Sequence, residues 1–147
     1  MRKQFTPRRK KNAGITTIEF MTTLAIIGLA LVFIWRYGDE LMIAAKVQIT
    51  KFQVSQIASA VQEHTQGGIV TGTRMTDIAD ILPQWIGDGS NATLFGGDFQ
   101  LTDGATPFEY NIQATGTPNQ AGAKLTRAYD SSTYDAGTET WTVTLGE

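Results

Sequence analysis

From Phe20 to Trp35 the chain runs sixteen residues without a charge, and back to Ile15 it adds only one, Glu19. As a helix rising about 1.5 Å per residue, the stretch from Ile15 to Trp35 reaches about 31 Å. The hydrocarbon core of a bilayer is about 30 Å thick. The pattern therefore predicts a membrane-spanning helix over 15–38 with a carboxylate near its start. Such a carboxylate costs about 2.5–3.5 kcal/mol at the helix centre and less toward an end. Trp35 and Tyr37 fall where an aromatic belt meets the outer interface.

After Asp39 the apolar positions become periodic. Ile43, Val47, Val54, Ile57 and Val61 alternate spacings of four and three, with Thr50 filling the one gap. That is one face of an amphipathic helix continuing to Gln66. Met42, Ala45, Ile49 and Phe52 form a second apolar strip. A helix with two strips has two partners: a sheet in its own chain, and a neighbour. Gly67-Gly68 ends the helix as a C-cap pair. If it is unbroken from Ile15 to Gln66, its length is about 78 Å.

The remainder reads as a connecting region and then short strands. Thr73 to Leu82 predicts a short helix with a threonine cap, ended by Pro83, and Trp85 and Ile86 are expected to pin the following loop to the core. Gly87 to Asn91 is turn chemistry. Phe95-Gly96-Gly97 leads into a strand at Phe99–Thr102, and Asp103-Gly104 turns. Phe108, Tyr110 and Ile112 alternate in a half-buried strand ending at Ala114. Pro118 to Tyr129 predicts a short helix. Thr140 to Leu145 places Trp141, Val143 and Leu145 on one face of a last strand. The fold class is α+β: a long N-terminal α-helix, half of it transmembrane, packed against a small antiparallel sheet.

Charge divides the chain unevenly. Arg2, Lys3, Arg8, Arg9, Lys10 and Lys11 are six of its twelve basic residues. The rest holds six basic and fourteen acidic residues, a balance of −8 that the net value of −2 conceals. Pro7 and the charge density oppose a helix over 1–14. A basic cluster before an apolar span is a topology signal that keeps the N-terminus in the cytoplasm; nucleic-acid binding is the competing reading. An ordinary signal peptide also starts basic, but its apolar run is about 7–15 residues long and ends in a small-x-small site. This run is longer and closes on Phe33-Ile34-Trp35-Arg36-Tyr37. A plain single-pass anchor is the other alternative. With no cysteine, hydrophobic packing has to hold the exported part together.

A basic leader ending in Gly14, a hydrophobic Ile15, Glu19 as the fifth residue from it and a long uncharged run resemble a type IV prepilin. The later order of elements is similar to type IVb pilins, including those of thin conjugative pili. The resemblance implies the type IV pilin fold, with a leader at 1–14, a filament-core helix at 15–38 and a globular head at 39–147. It further implies cleavage between Gly14 and Ile15 by a prepilin peptidase and N-methylation of Ile15. An assembly ATPase and an inner-membrane platform protein would then move the subunit from membrane lipid into a helical homo-oligomer. Localisation would be the inner membrane, then an extracellular pilus used in adhesion, motility, conjugation or DNA uptake. No nucleic acid is required as a partner. Glu19 would serve assembly by meeting the Ile15 amine, in the same or a neighbouring subunit, since no lysine, arginine or histidine occurs between Ile15 and Trp35. Gly28, a poor helix former, would give the span flexibility or permit close packing. The chain departs from many relatives in lacking a C-terminal disulfide and in carrying Arg36 where a later proline often stands. A type II secretion pseudopilin is the nearest alternative, and a monomeric membrane-anchored binding domain the one from another class.

Nothing in the sequence points to an enzyme. There is no Gly-x-Ser-x-Gly, no phosphate-binding loop and no histidine pair for zinc; the single histidine, His64, falls near the end of the amphipathic helix. No cofactor or metal is expected. Asp88, Asn91, Asp98 and Asp103 are close enough to raise calcium, but their spacing fits no EF-hand loop, and turn formation is the stronger reading.

Overall fold

The computed structural model describes residues 17–146. Its elements are α1 (Thr17–Thr65), α2 (Met75–Ile78), β1 (Phe99–Asp103), β2 (Tyr110–Ala114), α3 (Asn119–Thr126), β3 (Ser132–Asp135) and β4 (Thr140–Leu145). The chain divides into two compact units, one through Asp39 and one from Glu40. The leader, Gly14 and Ile15 lie outside the described residues.

In the first unit, α1 contains a window long and apolar enough to cross a membrane, by length and composition, and none of that window is buried. Two polar side chains near its start are satisfied within the helix: Thr22 Oγ1 donates to the Ile18 carbonyl and Thr23 Oγ1 to that of Glu19, both at 2.8 Å. An otherwise apolar helix tolerates hydroxyls on these terms. Toward the far end of the span the rings of Phe33 and Tyr37 pack one turn apart, 4.7 Å between centroids.

In the second unit, α1 turns Val47, Thr50, Val54, Ile57 and Val61 inward as their spacing predicts, together with Gln53 and Ala60. They join one core with the sheet, whose four antiparallel strands run in the order β1-β2-β4-β3. The register stacks Leu101, Ile112 and Val143 across three strands, and places Trp141 beside Ala114 and Tyr134. Trp141, Val143, Ile112 and Ile57 are completely buried. At the end of α1 the left-handed conformation falls on Gln66 as well as Gly67. The Gly67 and Gly68 amides then recapture the Gln62 and Thr65 carbonyls.

Four expectations need correction. The short helix is a single turn that starts after Arg74, not Thr73, because the Asp77 carboxylate accepts the Arg74 amide at 2.8 Å; Pro83 then disfavours helical backbone at the residue before it. The second strand starts at Tyr110, since the Pro107 carbonyl is held by the Val70 amide and Phe108 falls outside the ladder, half exposed. The third helix ends at Thr126 rather than Tyr129, and β3 follows it unforeseen. Trp85 does not enter the core. The Ile86 and Gly87 amides both bond to the Pro83 carbonyl, and in so tight a turn adjacent side chains diverge, so Ile86 goes inward and Trp85 outward.

β3 leans on α3 through one close approach: a Cβ on Gly122 would collide with the Tyr134 ring. The Tyr134 hydroxyl is itself tied to the Thr117 carbonyl at 2.8 Å, so the ring has little room to give. In an open helix Gly→Ala gains about 1 kcal/mol. Here the sign reverses: Gly122→Ala should cost about 1–3 kcal/mol, as overpacking does. Thermal unfolding of the two chains measures it, and an unchanged or raised midpoint contradicts the packing described.

Candidate functional site

α1 carries Glu19, Gly28 and both apolar strips, and its surfaces differ along its length. Glu19 lies in the first turn of the described helix, solvent-facing. Helix passes uninterrupted through Gly28, where a Cβ would meet nothing within 4 Å. Gly14 and Ile15, the other two residues the sequence singles out, are outside the described residues. Of the four positions, only Glu19 and Gly28 are among the described residues.

Past Asp39, α1 separates its two apolar strips cleanly. One is the core face. The other, Met42, Ala45, Ile49 and Phe52, faces solvent, as a neighbour-facing strip would. Trp85 extends it: its ring lies 6.2 Å from that of Phe52 at an interplanar angle of only 7°, with Phe52 56% and Trp85 49% exposed. The two rings are thus nearly parallel, and stacked aromatic pairs contribute about 0.5–1.5 kcal/mol beyond area burial. Sequence reasoning missed this because it sent Trp85 inward. The signal it could have used is that Pro83 winds the next residues into a turn in which only one of two neighbours can face the core.

The loop that bears Trp85 is fastened to α1 by a buried polar contact. Gln53, completely buried on the helix, donates from Nε2 to the Ala92 carbonyl at 2.8 Å. On the other side of that loop Gly89 has φ +89° and packs against the Phe99 carbonyl so closely that a Cβ would collide. The Phe99 amide bonds back to the Gly89 carbonyl at 2.8 Å. Thr93 completes the fastening by accepting the Gly97 amide at 2.7 Å. Trp85 thus stands on a loop held from both flanks.

Of the aspartates considered for calcium, Asp88 closes a local turn and Asp98 and Asp103 tie separate segments together. Asp88 Oδ1 accepts the Ser90 amide at 3.0 Å, and Asp98 Oδ1 accepts that of Asn91 at 2.7 Å. Asp103 Oδ1 accepts the Gly72 amide at 2.8 Å and meets the Arg74 guanidinium at 3.3 Å. Asp88, Asp98, Asp103 and Arg74 line an open cleft of about 510 Å³ beside β1. Among the described residues no three histidine, cysteine, aspartate or glutamate side chains gather as a metal site. His64 is exposed in the last turn of α1.

No protein-family model matches the chain, and no curated protein or solved structure matches it.

The carboxylates give a pH dependence of definite sign. The Gly72 amide, aided by Arg74, holds Asp103 below the ordinary carboxylate value; the Ser90 amide does the same for Asp88, and the Gly137 amide with the Thr138 hydroxyl for Asp135. Groups depressed on folding contribute stability above the unfolded value of about 3.9 and lose it as pH falls through their lower folded values. The unfolding midpoint should therefore decline as pH falls below that value. Asp103→Asn should lower it at neutral pH and make the acid decline shallower. All three groups are exposed, so the Arg74 share should weaken with salt. An acid decline identical in Asp103→Asn would contradict the assignment.

Proposed function

We propose that the chain is a type IV prepilin, of type IVb character, and that its mature form is the structural subunit of a helical surface filament. The observation that carries this reading is the composition of α1. One helix supplies an uncharged stretch that nothing in its own chain covers and, farther along, a strip that closes the core of an α+β head. The leader charge and the register of Gly14, Ile15 and Glu19 support it from the sequence.

On this reading a prepilin peptidase cuts after Gly14 on the cytoplasmic side, and the Ile15 amine is methylated. The mature subunit is held in the inner membrane by its apolar helix until an ATPase and a platform protein draw it into the filament. There the apolar helices form the core and the acidic heads the surface. The subunit performs no chemistry. Its activity is reversible polymerisation, driven by apolar surface that leaves lipid and must be covered again.

Glu19 sets the register in this scheme. Its carboxylate meets the Ile15 amine of a neighbouring subunit, and the pair fixes the axial position at which an incoming subunit stops. Charge on both partners in a low-dielectric setting makes that contact selective.

Two measurements test the proposal. Mass spectrometry of the mature chain should show Ile15 as its first residue, with the leader's six positive charges gone. A start near Ala44 would indicate ordinary signal peptidase, and an uncut Met1 in cells that have a prepilin peptidase would favour the membrane-anchored binding domain. Glu19→Leu should insert and be cleaved normally yet fail to enter sheared filaments, with Glu19→Gln also impaired. Normal filament yield from Glu19→Leu would remove the docking role, because loss of an intramembrane charge would otherwise only ease insertion.

A further inference from the structure

We infer that the exposed apolar surface formed by Ile49, Phe52 and Trp85 is the docking site for the uncharged span of a second copy of this chain. The inference rests on the filament reading and adds to it a named contact on the head, borne partly by a loop rather than by α1.

Several observations select this occupant. Ile49, Phe52 and Trp85 continue the Met42–Ala45 strip, and none of these five side chains carries a charge. The two rings are stacked nearly parallel and about half exposed. Gln53 and the Gly89–Phe99 contact immobilise the loop beneath them. Rigid, exposed aromatic side chains lose little conformational freedom when covered and are enriched among the residues that dominate interfaces. A surface without charge selects an apolar partner.

The area narrows the choice further. Two half-exposed rings with their aliphatic neighbours present on the order of a few hundred Å². A stable interface needs roughly 800 Å² on each side. The occupant must therefore hold the complex through other contacts as well. The span from Phe20 to Trp35 meets both conditions: it is uncharged, and its spanning window is not buried within its own chain. Span and platform are different surfaces, so their contact is heterologous. After docking, the copy whose platform is filled keeps a free span and the copy whose span is docked keeps a free platform, and such a contact propagates as an open array unless its rotation closes a ring.

The absence of cysteine from the chain makes the test direct. Trp85→Cys is placed in one tagged copy. Leu24→Cys, Ile27→Cys, Leu31→Cys and Ile34→Cys, which follow one face of the helix, are placed singly in a second copy expressed with it. Oxidation of sheared filaments should join Trp85→Cys to at least one span position. A Trp85→Cys pair joined to itself would indicate a symmetric contact and overturn the inference. So would a failure to join any span position while filaments form normally.

The second arm is Phe52→Ser with Trp85→Ser, both at exposed positions, whose unfolding midpoint and cleavage at Ile15 serve as controls. Filament yield should fall about tenfold or more, and Trp85→Phe alone should restore most of it. Normal yield from the double variant overturns the inference and leaves the filament reading intact. Absence of filaments from the unaltered chain overturns both.

Discussion

The structure depends on one imbalance: α1 displays more apolar surface than the chain can bury. The strip Val47–Val61 finds a sheet. Among the described residues the span is left unburied, and the strip that ends at Phe52 meets the Trp85 ring but stays largely exposed. Apolar surface left in water costs about 25 cal/mol per Å², so an isolated copy in water is a high-energy species. On the proposed reading, lipid would cover the span in one setting and other copies would cover it in another. Each state is tolerable, and movement between them needs no chemistry in the subunit itself.

On that reading the head would have to supply rigidity for the exchange, and with no cysteine in the chain it holds together without disulfides. Its core is anchored by Trp141, which is completely buried and packs its ring 5.4 Å from that of Tyr129. Around this centre, side-chain hydroxyls make short hydrogen bonds: Thr117 to the Ala114 carbonyl, Ser131 to the Thr144 carbonyl, and Thr144 to the Asn111 side chain. The last two join segments 13 and 33 positions apart, and all but that of Thr117 are exposed or partly buried. They therefore fix geometry more than they add stability, which comes mainly from the apolar core.

The sequence made α1 legible because two different apolar periods, continuous and then alternating four and three, meet in one stretch without a helix breaker. The strands with inward alternation, β2 and β4, were readable for the same reason. β3 was not. Ser132-Thr133-Tyr134-Asp135 has no apolar alternation, and it becomes a strand only because Ser131 and Thr133 find partners on β4 and Tyr134 reaches Thr117. Those contacts are set by tertiary structure, not by local pattern. The solvent-facing strip on α1 was legible as a strip, but its extension by Trp85 was not, because one turn after Pro83 decides which of two apolar neighbours faces the core. Turn formation describes Asp88, but Asp98 bonds to Asn91 seven positions back and Asp103 to Gly72, thirty-one positions away, beyond any spacing rule.

The strand order has a consequence for timing. β4 is the last element in the chain and the bridge of the sheet, flanked by β2 on one side and β3 on the other. Until it arrives, the β1-β2 hairpin and β3 have no common ladder, and the core lacks Trp141 and Val143. The strip on α1, by contrast, is made about a hundred residues earlier. As the chain emerges, that strip must wait uncovered for the final strand. The head is thus obliged to fold in one late step, after its helix is already in place. Loop-closure entropy over so long a separation makes that step slow compared with helix formation.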